Sequence, residues 1–190
     1  GAQYGRATIA VMSAPTGIVR PATAADAAGC LAIYTPYVHD TTITFETEPP
    51  TVQQMAARLA DCAASHAWLV YERDGEVIGY AYGHAFAERS AYAWSCETSI
   101  YVASQSRGAG AGRALYDALL PALAVRGYRR AIALITQPNE ASMALHAAYG
   151  FEPAGLLRRV GWKHGAWCDV AWLQRDLGDI ASDDPPAALR

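Results

Sequence analysis

The densest chemical signal in the chain is a run of small residues between two cations. Arg107-Gly108-Ala109-Gly110-Ala111-Gly112-Arg113 follows closely on Ile100-Tyr101-Val102. Glycines let the backbone approach a ligand with no Cβ in the way. Where such a loop opens a helix, free N–H groups and the helix dipole favour an anion. Arg107 and Arg113 add full positive charge. The implied chemistry is a cradle for a phosphate or pyrophosphate. Two other cradles do not fit. A P-loop ends in Gly-Lys-Ser/Thr, whereas Gly112 is followed by Arg113 and Ala114. A dinucleotide fingerprint reads G-x-G-x-x-G inside a parallel βαβ unit, whereas the spacing here is G-x-G-x-G after hairpin-like strands. A plain strand-to-helix turn remains the other reading of the loop.

Two titratable side chains outside this loop stand out. Glu97 lies in the middle of an otherwise uncharged strand. A buried glutamate is rare unless paired or functional. A carboxylate with a raised pKa can accept a proton as a general base. The other reading of Glu97 is a structural ion pair or an exposed position on an edge strand. His146 lies among alanines on an expected helix. Its neutral-range pKa suits proton exchange, and its plain reading is a packed helix residue. Asn139 is placed to cap that helix.

These residues need elements to hold them. Ile18-Val19-Arg20 reads as a short strand, and Pro21 to Asp26 opens a helix carrying Ala28, Leu31 and Ile33. Thr51 caps a second helix, Val52 to Ser65. Trp68 to Arg73 and Val77 to Gly83 are strands joined by Asp74-Gly75, the pair a two-residue hairpin turn prefers. Ser95 to Val102 is a strand. After the glycine loop, Leu115, Leu119 and Leu123 mark one face of a helix that Gly127 ends. Pro121 inside it should kink it or disturb one backbone bond. Arg130 to Thr136 is a buried strand, Asn139 to Gly150 a helix, and strands follow near Glu152 to Val160 and Trp167 to Leu177. The order β-α-α-β-β-β-loop-α-β-α-β-β is a mixed α/β domain, with no regular βαβ alternation. A leader at 1–16 and a tail at 179–190 are expected to be flexible, leaving one domain at 17–178.

The bulk numbers narrow the class. The chain has 190 residues, enough for one domain with a proper core. A net charge of −3 argues against nucleic acid as the main partner. Cys30, Cys62, Cys96 and Cys168 form no CxxC pair, so no metal site is expected, and the thiols read as reduced and intracellular. No run of about 18 apolar residues exists to span a membrane, and no signal peptide is expected.

Arg107-x-x-Gly110-x-Gly112 resembles the Q/R-x-x-G-x-G/A motif of the GCN5-related N-acetyltransferases, and the order of elements resembles their fold: a mixed, mostly antiparallel central sheet flanked by helices. The resemblance to phosphinothricin N-acetyltransferase-like members covers nearly the whole ordered core. It runs through Thr44-Phe45-Glu46-Thr47-Glu48-Pro49, Trp68-Leu69-Val70, Asp74-Gly75-Glu76-Val77 and Ala91-Tyr92-Ala93-Trp94. It continues through Glu97-Thr98-Ser99-Ile100-Tyr101-Val102, Leu145-His146, Lys163-His164-Gly165-Ala166-Trp167 and Gln174-Arg175-Asp176.

The resemblance implies acetyl-CoA as donor, the amine of a small amino-acid-like molecule as acceptor, and a homodimer; with the cysteines read as reduced and without a metal site, a cytoplasmic enzyme is expected. A protein or peptide N-acetyltransferase using the same donor site is the alternative. The resemblance places the pantetheine arm along Ile100, Tyr101 and Val102, with the Val102 N–H polarising the carbonyl, and the pyrophosphate on Arg107 to Arg113. It puts the general base at Glu97 and a proton-exchanging imidazole at His146, where the wider superfamily has Tyr. It also lets Asn139 bond the cofactor. On the acceptor side, Arg89 and Lys163 are candidates to bind an anionic group, and Phe45 and Tyr92 to wall the pocket. Ala87 departs from the Lys or Arg common in the subfamily, and Glu88 adds a negative charge beside it.

Overall fold

A computed structural model describes residues 17–178 and 186–190. The elements follow the expected order. β1 is Ile18–Pro21, α1 Ala27–Asp40, α2 Val52–Ser65, β2 Ala67–Arg73, β3 Glu76–Ala85 and β4 Ser95–Val102. Then come α3 Ala111–Arg126, β5 Arg130–Gln137, α4 Glu140–Ala148, β6 Glu152–Lys163 and β7 Ala166–Asp176. Asp74 and Gly75 both take positive φ, the backbone that a two-residue hairpin turn demands, and they join β2 to β3. The first helix begins at Ala27, later than expected, after a 3-10 turn over Ala24–Asp26. β3 runs two residues past its expected end at Gly83, and β6 three past Val160.

One seven-stranded sheet has the order β1-β2-β3-β4-β5-β7-β6. Every neighbouring pair is antiparallel except β4 with β5. This is the mixed, mostly antiparallel sheet flanked by helices that the sequence implied. α1 and α2 cover one face through Ile33, Tyr34, Val38, Met55 and Leu59, packed on Trp68, Val70 and Tyr80. The other face takes α3, whose Leu115, Leu119 and Leu123 are fully buried, as the four-residue spacing requires. Gly83 has a specific role there. A Cβ would lie 2.8 Å from Leu123, so only glycine lets α3 settle this close to β3. α3 passes through Pro121 without a break in the assigned helix. The missing N–H falls opposite the carbonyl of Asp117, on the exposed side where water can serve it.

The expected leader, 1–16, lies outside the described residues, as do 179–185 of the expected tail. Residues 186–190 lie against the body of the domain. The Trp94 indole donates to the Ala187 carbonyl, and the Arg190 N–H donates to the carbonyl of Arg126 at the end of α3. Among the described residues, no helix is long and apolar enough to cross a membrane.

Candidate active site

The site begins with a fork in the sheet. β4 and β5 pair over only three residues, Ser95 with Arg130, Cys96 with Ala131 and Glu97 with Ile132, and then part. At one end of β4, the Trp94 carbonyl accepts from Arg129 and Arg130 on the β5 side; at the other, the Ala103 N–H donates to Ile78 on the β3 side. Strand alternation between these ends turns the backbone groups of Thr98, Ile100 and Val102 toward the open side. The Val102 carbonyl is taken by the Tyr37 hydroxyl at 2.6 Å. The N–H groups of Ile100 and Val102 face the gap, as an extra strand would require.

The gap is lined by the glycine loop. A cleft of about 280 Å³ is bounded by Ile100, Val102, Arg107, Gly108, Gly110, Ala111, Gly112, Asn139 and Leu145. At its inner end a pocket of about 50 Å³ reaches the fork, against Thr98, Ser99, Ile100, Tyr101, Thr136, Asn139 and His146. Gly108 and Gly110 both take positive φ, and a Cβ on either would meet nothing within 4 Å. Their open side is therefore available to a ligand. Gly112 does something different. Its missing Cβ lets Leu145 of α4 approach, since an added one would sit 3.4 Å from that side chain. Gly110 is the residue before α3, so the unpaired N–H groups of the helix's first turn open onto the cradle. Arg107 lies over the Tyr37 ring at 5.3 Å, which fixes its charge at the cleft wall. Asn139 accepts from the Ser142 N–H at 3.1 Å and so caps α4 while lining the cleft. A donor set of backbone N–H groups, the Arg107 guanidinium and two uncrowded glycines fits a phosphorylated acyl carrier with an amide-bearing arm.

The expected cofactor residues are thus largely gathered at one cleft. Tyr101 lines only the inner pocket, because its ring turns to the other face of the sheet and packs edge-on against Tyr34 and Tyr37. Ala109 and Arg113 belong to the loop without lining the cleft. The Arg113 carbonyl instead accepts from the Tyr149 hydroxyl.

Glu97 and His146 lie on opposite faces. Odd-numbered residues of β4 face α1 and α2; even-numbered ones face α3. Burial raises the Glu97 carboxyl above its ordinary range, while the His84 imidazole, 3.7 Å away, opposes that rise. His146 is buried. Its Nδ1–H donates to the Ser142 carbonyl at 2.7 Å, and its Nε2 accepts from the Tyr116 hydroxyl at 2.8 Å. The Tyr116 oxygen also lies 3.2 Å from the Thr98 hydroxyl, so a hydrogen-bonded chain runs from the fork to α4. Burial lowers the His146 pKa and keeps the ring neutral, with both nitrogens satisfied.

On the Glu97 face the loop between α1 and α2 forms a wall. The Phe45 ring occupies the space over Gly161 of β6, where a Cβ would collide with it. Lys163 is buried and donates to the Thr44 carbonyl at 2.7 Å. Glu46 accepts from both Arg58 nitrogens, at 2.9 and 2.5 Å, and from the Tyr34 hydroxyl. Lys163 therefore ties the loop to β6. Arg89 and Tyr92 are exposed on the turn between β3 and β4, with Tyr92 edge-on to Phe86. The sequence reading missed Tyr37, Tyr116, His84 and the Glu46–Arg58 pair. Only Glu46 lay in a stretch the reading had singled out.

A cleft lined by backbone on one side of a fork and a half-buried carboxylate on the other form the candidate active site. The acetyltransferase (GNAT) domain model matches residues 19–172, and the chain belongs to that family, the acetyl-CoA-dependent N-acetyltransferases. It is 40% identical over 172 residues to a phosphinothricin N-acetyltransferase of Streptomyces viridochromogenes, covering 90% of this chain and 92% of that one. It is 33% identical over 167 residues to an L-methionine sulfoximine/L-methionine sulfone acetyltransferase of Pseudomonas paraeruginosa, covering 86% and 96%. A phosphinothricin acetyltransferase from Sinorhizobium meliloti, solved in complex with AcCoA, superposes with a TM-score of 0.86 at 39% identity over 90% of this chain and 94% of that one.

Proposed function

We propose that the chain acetylates the free amine of a small amino-acid-like acceptor of the phosphinothricin or methionine sulfoximine kind, with Glu97 as general base. The observation that carries this is the position of Glu97: at the last paired residue of the fork, half-buried, on the face of β4 opposite Thr98 and Ile100.

Acetyl-CoA supplies an acetyl group activated as a thioester. The Arg107–Arg113 loop and the start of α3 hold its phosphates, with Asn139 at the cleft wall. Ile100 and Val102 offer N–H groups to its arm. Ile100 is the better oxyanion donor of the two, because it lies nearer the fork and lines the inner pocket with Thr98. Glu97 accepts the ammonium proton, and its burial supports a basicity suited to that step. His146 acts through Tyr116 as a positioning residue that stiffens the fork at Thr98. Phe45 walls the acceptor site, and Lys163 holds that wall in place. Arg89 and Tyr92, on the exposed turn, offer a cation and a hydroxyl to the acceptor's polar head.

β6 is an edge strand with Leu156, Leu157, Val160 and Trp162 exposed, which supports a homodimer through this edge. The four thiols are free, which supports work in a reducing cytoplasm.

The test is an acceptor panel with thiol release as readout: phosphinothricin, methionine sulfoximine, methionine sulfone and an acceptor peptide. The free amino acids should give the higher kcat/KM. A preference for the peptide overturns this reading in favour of a protein or peptide N-acetyltransferase. Glu88 beside Ala87 should favour sulfoximine and sulfone over the doubly anionic phosphinothricin, since a lost charged hydrogen bond costs about 1.5–3 kcal/mol.

A further inference from the structure

The extra length of β3 has a chemical result. It places His84 directly opposite Glu97 in the antiparallel register, so the two side chains share one face of the sheet. His84 Nδ1 lies 3.1 Å from the Ala85 carbonyl, which can only accept, so Nδ1 carries a hydrogen. Nε2 is then the atom turned to Glu97, 3.7 Å from Oε1. In a neutral ring with that tautomer, Nε2 is a bare lone pair facing a carboxylate oxygen, and neither can donate. One added proton on Nε2 converts the contact into an ion pair.

We propose that His84 is a positioning residue for Glu97: its imidazolium holds the base as a carboxylate and fixes its Oε1 at the fork, so that acetylation persists on the acid side of neutrality. The inference rests on the reading of Glu97 as the base. Burial alone would make Glu97 take up a proton early as the pH falls, and a protonated Glu97 cannot accept one from the ammonium. A protonated imidazole 3.7 Å from Oε1 opposes that uptake. The other titratable groups around the ring do not compete. Tyr82, next on the same face at 5.7 Å between ring centres, is pushed up to about 12 by burial and stays neutral. His66, at the end of α2, is pushed down to about 4 by burial and by the charge of His84, so it adds no cation in this range.

The experiment measures kcat/KM against pH for wild type, His84→Gln, His84→Lys and Glu97→Gln, using methionine sulfoximine or phosphinothricin, whichever turns over faster. His84→Gln keeps a polar side chain and loses the charge; its acidic limb should move up by about one pH unit. His84→Lys restores a cation and should keep the limb near its wild-type position. A role in packing or shape alone predicts the reverse order, with Gln the milder change, and that result overturns the proposal. So does an unmoved limb in His84→Gln. If Glu97→Gln retains wild-type turnover, the base assignment fails and the proposal falls with it. If Glu97→Gln loses turnover while the His84→Gln limb stays in place, only the role of His84 is overturned. CoA binding by calorimetry confirms that each variant is folded, with His84→Asn replacing the Gln variant if it is not.

Discussion

The two sides of the fork are made of different materials. The proposed donor side is backbone: the N–H groups of Ile100 and Val102, the start of α3, and two glycines on which a Cβ would meet nothing within 4 Å. The proposed acceptor side is side chains brought from afar: Phe45 over Gly161, Lys163 on Thr44, Arg58 on Glu46, and Glu97 beside His84. Backbone donors recognise what all acyl-CoA molecules share. A wall of side chains can be exchanged residue by residue without disturbing the strand that holds the donor. The fork thus separates an invariant task from an adjustable one, and the two sides should fail independently when mutated.

The largest expected effect is on the donor side. Gly110→Asp puts a side chain and a negative charge into the phosphate cradle, and forces a non-glycine residue to φ +82°. Calorimetric CoA binding should be lost while the far-ultraviolet circular dichroism is kept. A folded variant with unchanged affinity would remove the loop from the donor site. Next comes the carboxylate at the apex. Glu97→Gln should lower turnover by roughly 10²–10⁴-fold with CoA affinity little changed, because shape is kept and the proton acceptor is gone. Wild-type turnover across pH would make Glu97 structural.

A smaller effect sharpens the contrast. Gly161→Ala introduces a Cβ where the Phe45 ring lies, so the ring must move. Lys163→Met removes the bond to the Thr44 carbonyl, from a different residue. Each should raise the acceptor KM by about tenfold, the equivalent of 1.4 kcal/mol, and leave the acetyl-CoA KM near wild type. If both constants rise together, the two sides are coupled and the division drawn here is wrong.

The same division explains what could be read from sequence. The proposed donor side is nearly contiguous, from Ile100 to Arg113, so the strand, the glycine loop and the helix it opens were legible. The four-residue spacing of Leu115, Leu119 and Leu123 likewise disclosed the face of α3. The acceptor wall was not legible, because its defining contacts join residues far apart: Lys163 meets Thr44 across 119 positions. Lysine at position 163 reads in sequence as a free cation for substrate; only the fold shows its donor committed to a carbonyl. His84 was hidden for a simpler reason. The strand was expected to stop at Gly83, whose glycine reads as an end but instead makes room for Leu123.

The smallest predicted effect concerns the chain that stiffens the donor side. Tyr116→Phe removes the hydroxyl that donates to His146 Nε2 and meets Thr98. A buried ring nitrogen left without its partner costs about 1–3 kcal/mol, so urea unfolding should shift to lower midpoints with the slope unchanged. Turnover should fall less than in Glu97→Gln, because the Tyr116–His146 pair lies across the sheet from the base. The pH dependence follows from the depressed pKa of His146. The unfolded chain binds the proton near pH 6.5 and the folded one only at lower pH. The contribution of a neutral, buried His146 is therefore fully present above about pH 6.5 and is lost as the pH falls toward the folded value. His66 adds to the same slope down to about pH 4. His146→Phe should flatten the part of this slope that His66 leaves. A variant that keeps the full slope, or a Tyr116→Phe enzyme whose pH–rate profile moves while its stability does not, would mean that His146 exchanges protons with the reaction instead of holding Thr98 at the fork.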